Sequence, residues 1–240
     1  MPAKKRTAPS RARPSSELHT PAKPPQPRRR PNFAAIQLRF VALISYAISF
    51  EHLYSHPNKI NQGFGGHYQF LTNITLVLAA AASVLGALEI LNAPRLIQSL
   101  KARILFLATP LSLLITATYW PLYLLRPAVL KDTTIAPFAP LKKDIGFHLL
   151  PALFVLADVI NFTPRRYAPS PLRALGVFGT FLGGYGAWLW LCWSKNGIPP
   201  YPVLEKMDVG TMAGLAVAVA GVLGGLSWGV EGLCCVLDQE

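Results

Sequence analysis

Thr72 closes the segment Phe64-Gly-Gly-His-Tyr-Gln-Phe-Leu-Thr72 directly ahead of one long apolar run, and His148 closes Asp144-Ile-Gly-Phe-His148 at the start of another. A threonine hydroxyl is a poor nucleophile at neutral pH. A base within hydrogen-bond reach activates it, and histidine is the usual one. If the two runs are the second and fourth of several membrane spans, they cross in the same direction, so their first turns lie on the same side of the bilayer. That is the geometry a Thr/His hydrolytic pair requires. Asp144 stands four residues before His148, so on a helix its carboxylate shares the histidine face and can hold the ring in one tautomer. Each residue also has a plainer reading. Thr72 suits a helix start, bonding backbone groups; His148 can bond a neighbouring helix structurally; and Asp144 can be a solvated acid favoured by a helix N-terminus.

Positioning such a pair falls to the apolar runs. Of the 240 residues, 52% are hydrophobic and 14% charged, with a formal net charge of +12, which excludes an ordinary soluble domain. Six runs reach or approach the ~20 residues that cross a bilayer core: about Phe33–Leu53, Phe70–Leu91, Ile104–Leu125, Ile145–Phe162, Leu172–Trp193 and Val209–Leu237. Pro57, Pro94, the stretch from Pro127 to Pro140, Pro164 to Pro171, and Pro199-Pro200 with Pro202 punctuate the connections. The expected fold is an all-α, multi-pass transmembrane helical bundle occupying residues 33–240.

Residues 1–32 form a separate segment with nine Lys/Arg, eight prolines and a single acid, Glu17. With almost nothing apolar to bury, it is expected to be a disordered basic arm. The positive-inside tendency places it in the cytosol, where Arg28-Arg29-Arg30 can also attract anionic lipid heads. The loops alone do not decide orientation: the predicted cytosolic loops 94–103 and 164–173 hold six Lys/Arg against seven opposite. With six spans, both termini are then cytosolic, and Thr72 and His148 face the lumen or exterior. Endoplasmic reticulum or another endomembrane is the expected location, with the plasma membrane as the alternative. No nucleic-acid fold accompanies the basic charges, so no nucleic-acid partner is expected. No metal-ligand spacing, disulfide framework or phosphate-binding loop is present, so no cofactor is expected.

Several other polar groups sit at span depth. Glu51 and His52 end the first span on the Thr72 side and read either as cavity-lining or as interface residues. Arg39 is near enough to a span end to snorkel. Glu89 and Glu231 read as snorkelling or helix-bridging groups. Asp158 lies about 15 Å along the helix from His148, too far to orient it, and is expected to pair with another span. These acids keep open a non-catalytic reading: a small transporter using Glu51, Asp158 and Glu231, or a scaffold using the basic arm. The sequon at Asn73 lies inside a span and is not expected to be glycosylated.

The order of four blocks resembles the androgen-induced membrane protein family. These are Gly65-Gly66-His-Tyr-Gln-Phe-Leu-Thr72; Tyr119-Trp120-Pro-Leu-Tyr123; Gly146-Phe-His148 with Pro151; and Trp190-x-x-Trp193 followed by Gly197 and Tyr201-Pro202-x-Leu204. The resemblance covers about residues 35–235. It implies a multi-pass hydrolase of fatty acid esters of hydroxy fatty acids, with the essential threonine falling on Thr72 and the essential histidine on His148. A lipid ester substrate is therefore implied. Asp144 is a candidate orienting group and Glu51 a candidate pocket residue. Where animal members have Asn-His before the Gly-x-His block, this chain has Asp144-Ile145.

Overall fold

Apolar runs too long for a globular core fold into six helical spans, described by a computed structural model over residues 32–91, 94–130, 138–163 and 170–237. The expectation of a disordered arm falls outside these residues. In chain order the helices are α1 (Phe33–Ser55), α2 (Leu71–Ile90), α3 (Arg95–Leu125), the single turn α4 (Pro127–Leu130), α5 (Leu141–His148), α6 (Leu150–Phe162), α7 (Pro171–Asn196) and α8 (Val209–Leu237). The fourth span is α5 and α6 together. No strand occurs among the described residues.

The first four spans pack around one core in which small residues admit close approach: Ala42, Ala79, Ala82 and Ala108 alternate with Tyr46, Leu76, Leu105 and Phe147. The last two spans dock on α3 through Leu111, Phe178, Ala220 and Leu223. Most of the α7 and α8 surface remains outward-facing and apolar, as lipid-facing helices require.

Three local features fix where the site falls. The first is a proline break. Pro151 has no N–H and its ring crowds the carbonyl four residues earlier, so the fourth span parts at Leu149, whose φ/ψ of −123°/−55° separates α5 from α6. The His148 carbonyl at the break is taken instead by the Thr116 hydroxyl of α3. The fourth span begins at Leu141, before the Ile145 expected from hydropathy, so His148 lies two turns into the span at its break and not in its first turn.

The second is the turn that starts α2. Gly65 adopts φ +89° and Gly66 φ +54°, both in the left-handed region that glycine tolerates. A Cβ on Gly65 would lie 2.5 Å from Cys192 Sγ, so α7 itself excludes a side chain there. A short 3₁₀ turn over Gly66–Gln69 follows, and its backbone is clamped to α7. Asn196 Oδ1 accepts the Phe64 N–H at 2.7 Å, Asn196 Nδ2 donates to the Phe64 carbonyl at 2.9 Å, and Trp188 Nε1 donates to the Tyr68 carbonyl at 2.9 Å. The buried Gln69 side chain ties the turn internally through the Ile60 carbonyl, 2.8 Å.

The third is a cluster of four charges at the opposite ends of these spans. Asp158 of α6 accepts from Arg39 Nε of α1 at 3.1 Å and from Lys101 Nζ of α3 at 2.6 Å. Lys101 also reaches Glu89 of α2 at 3.1 Å, and Arg39 reaches it at 3.5 Å. Arg39 Nη1 donates to the Gly86 carbonyl at 2.6 Å, in space that a Cβ on Gly86 would occupy. Asp158 thus pairs with other spans and Glu89 bridges helices, as expected. Arg39 departs from expectation: it is 4% exposed and does not snorkel, because two carboxylates on neighbouring helices neutralise it in place. Lys101, read as a loop charge, is fully buried within α3 for the same reason. The third span therefore starts at Arg95 and not at Ile104.

Candidate active site

Thr72 and His148 line a single cavity of about 320 Å³ that opens where α1, α2 and α5 begin or end. Thr72 is in the first turn of α2, which starts without a side-chain cap at Phe70. Of the N–H groups that a helix start leaves unpaired, that of Leu71 donates to the Tyr201 hydroxyl at 3.0 Å. Tyr201, in the α7–α8 connection, lies 3.3 Å from the Tyr185 hydroxyl, which donates to the Gln69 carbonyl at 2.9 Å. Burial pushes the Tyr201 hydroxyl up from its ordinary pKa, so it stays protonated. The backbone just ahead of Thr72 is therefore held from both α7 and the loop beyond it. Its own hydroxyl makes no hydrogen bond among the described residues, so the helix-start bonding role is not the one it plays here.

His148 is held on three sides. Its ring stacks on Tyr119 of α3 with centroids 3.4 Å apart and planes 3° from parallel. Its Nδ1 faces the Asp144 carbonyl at 3.2 Å and the Asp144 carboxylate at 3.6 Å. Its own carbonyl is capped by Thr116. Asp144 is 1% exposed, so it is not the solvated acid of the plainer reading; it faces the imidazole from one helical turn away.

Glu51 does not line the cavity. It is two-thirds exposed and faces Lys143 at 3.7 Å, while its neighbour His52 takes the lining position. Consecutive helix residues point about 100° apart, so only one of the pair can face inward. His56 and His67 also line the cavity, so every histidine outside the N-terminal arm converges on it. Burial holds the His67 imidazole below its ordinary range. Asn73 is 5% exposed in the cavity wall and donates to the His67 carbonyl at 2.8 Å, a position closed to a glycan. Sequence reasoning gave no role to Tyr119, Tyr185, Tyr201 or Asn196. The available signal was the concentration of His52, His56 and His67 on the Thr72 side.

No group of three or more metal-ligating side chains occurs among the described residues. The acids of the transport reading are dispersed: Glu51 is at the surface beside Lys143, and Asp158 is committed to Arg39 and Lys101.

Six spans with a hydroxyl, an imidazole and a buried carboxylate at one cavity define a multi-pass membrane protein with that cavity at one end of the bundle. Residues 34–233 match the FAR-17a/AIG1-like protein family, and the chain belongs to that family. It is 27% identical over 151 residues to a UPF0641 membrane protein of Schizosaccharomyces pombe, a match spanning 62% of this chain and 66% of that protein. It is 26% identical over 190 residues to the androgen-induced gene 1 protein of Homo sapiens, covering 72% of this chain and 78% of the human one. No solved structure matches.

Proposed function

We propose that the protein is an intramembrane lipid-ester hydrolase with Thr72 as nucleophile and His148 as base. The observation that carries the reading is the convergence of the two side chains on one cavity, with the His148 ring fixed by Tyr119 and Asp144. With Nδ1 turned to Asp144, the base is Nε2, the arrangement in which an acid holds the tautomer. A threonine on a helix has two accessible χ1 rotamers with which to turn its hydroxyl, and catalytic contacts tighten when substrate binds. Nε2 takes the Thr72 proton as the oxygen attacks the ester carbonyl carbon. Collapse of the tetrahedral adduct breaks the carbon–oxygen bond to the alcohol, which leaves with the proton from His148. Water, giving a proton to the same nitrogen, then attacks the acyl-threonine carbon; the bond to the Thr72 oxygen breaks, that oxygen takes the proton back from His148, and the acid is released.

A cavity of about 320 Å³ is at the small end for ligand sites, so it holds the ester and adjoining carbons while the acyl chains lie along the outer apolar surfaces. Fatty acid esters of hydroxy fatty acids are the proposed substrates, by resemblance to the family. The basic arm is proposed to lie in the cytosol against anionic lipid, both termini on that side, in the endoplasmic reticulum or another endomembrane, with the cavity opening toward the lumen.

The test is hydrolysis of a fatty acid ester of a hydroxy fatty acid by the full chain reconstituted in vesicles. Release of free fatty acid that drops about 100-fold or more in both Thr72→Ala and His148→Ala is expected. Turnover indifferent to either change would refute the assignment.

A further inference from the structure

Beneath the cavity the walls of α2, α3 and the α5–α6 break close into a crevice too narrow for a water molecule, with Thr72 and His148 at its rim. Two side chains lining it stand out. Thr75 is 2% exposed and Ser112 is 3% exposed, and neither hydroxyl has a hydrogen-bond partner among the described residues. Buried hydroxyls within helices ordinarily bond the carbonyl four residues back. The exposed Thr118 and the half-buried Ser227 make that bond in this molecule, at 2.8 and 2.9 Å, and neither Thr75 nor Ser112 does. The third hydroxyl of the crevice, Thr116, is committed to the His148 carbonyl. A buried hydroxyl left unpartnered has given up its bonds to water without replacement; the Thr109 hydroxyl is in the same state, but only Thr75 and Ser112 bring such a group to this crevice. Thr75 follows Thr72 by three residues and so shares its face of α2.

We infer that Thr75 and Ser112 are the oxyanion donors of this site: their O–H groups receive the ester carbonyl oxygen as Thr72 attacks. The inference rests on the hydrolase reading and supplies the group that reading lacks. As the Thr72 oxygen bonds to the carbonyl carbon, the π pair moves onto the carbonyl oxygen while the threonine proton passes to His148. The two hydroxyls stabilise that oxygen until the pair returns and the bond to the alcohol breaks. Dryness of the crevice raises their worth, because no water competes for them. The crevice is closed without substrate, so the carbonyl oxygen enters by parting its walls at the rim beside Thr72, and neither hydroxyl makes a bond that this opening would break.

The test compares Thr75→Val, Ser112→Ala, the double variant and Thr75→Ser in the detergent-purified full chain. It follows p-nitrophenyl acyl ester turnover and thermal unfolding together. Loss of one donor is expected to lower kcat by about 100-fold or more with KM little changed. Thr75→Ser should keep kcat within a few-fold. Unfolding temperature should hold or rise in the Val and Ala variants, since no hydrogen bond is removed. A double variant with wild-type kcat, or one whose kcat falls only with its unfolding temperature, would overturn the inference and leave the hydrolase reading standing. Absence of turnover in the folded wild type would overturn both.

Discussion

Replacing Gly65 by alanine tests how the turn before α2 is built. The residue sits at φ +89°, which costs a side-chain-bearing residue about 1–2 kcal/mol. The new Cβ would also lie 2.5 Å from Cys192 Sγ, 2.9 Å from Gln69 Cγ and 3.2 Å from a Trp188 ring carbon. Overpacking of that kind adds about 1–3 kcal/mol, so the expected total is about 2–5 kcal/mol. Part of the overpacking is removed in the Cys192→Ala background. Removing the sulfur relieves the closest clash but leaves the backbone strain and the Gln69 contact, so Gly65→Ala should cost less there than in the wild type. Unfolding in detergent, followed by tryptophan fluorescence, reads both, because Trp188 bonds the same turn. Equal costs of Gly65→Ala in the two backgrounds, or no cost in either, would refute the packing of this turn against α7.

Tyr201→Phe should destabilise by about 1–3 kcal/mol by stranding the Leu71 N–H, and it should slow ester turnover through Thr72; double-mutant unfolding with Tyr185→Phe should give less than the sum of the single effects. Asp158→Asn leaves Arg39 and Lys101 with one carboxylate between them, so a loss of about 3–5 kcal/mol is expected in thermal unfolding, and Lys101→Met combined with Asp158→Leu should be milder than Asp158→Asn alone. Because burial lowers the His67 pKa in the folded protein, the unfolded chain takes up the proton first as pH falls. His67 therefore contributes stability that is complete above its ordinary value of about 6.5 and is lost as pH drops through the lower folded-state value. The slope of unfolding temperature against pH between 7 and 5 should flatten in His67→Gln.

The spans were legible because a run of about 20 apolar residues has one physical use, and the four family blocks pointed to Thr72 and His148 before any geometry was known. The start of α3 was not legible. Arg95, Lys101 and Arg103 read as loop charges, since hydropathy cannot register that Asp158 and Glu89 neutralise Lys101 inside the bundle. The same blindness made Arg39 look like a snorkelling residue. The clamp on Thr72 also escaped, because the Leu71–Tyr201 bond joins positions 130 apart and a tyrosine in a proline-rich connection carries no local signal. Pro151 entered only as part of a family block, so neither the break at Leu149 nor the Thr116 cap on the His148 carbonyl was read from the sequence. Separating His52 from Glu51 required the helix phase, which the end of an apolar run does not supply.

Activation of the Thr72 hydroxyl by His148 leaves a chemical signature that covalent capture reads. The full chain in detergent would be treated with a lipophilic fluorophosphonate, digested, and the labelled peptide sequenced by mass spectrometry. A single adduct on Thr72, absent in Thr72→Ala and strongly reduced in His148→Ala, is expected. An adduct at another residue, or labelling of Thr72 that persists unchanged without His148, would contradict that activation.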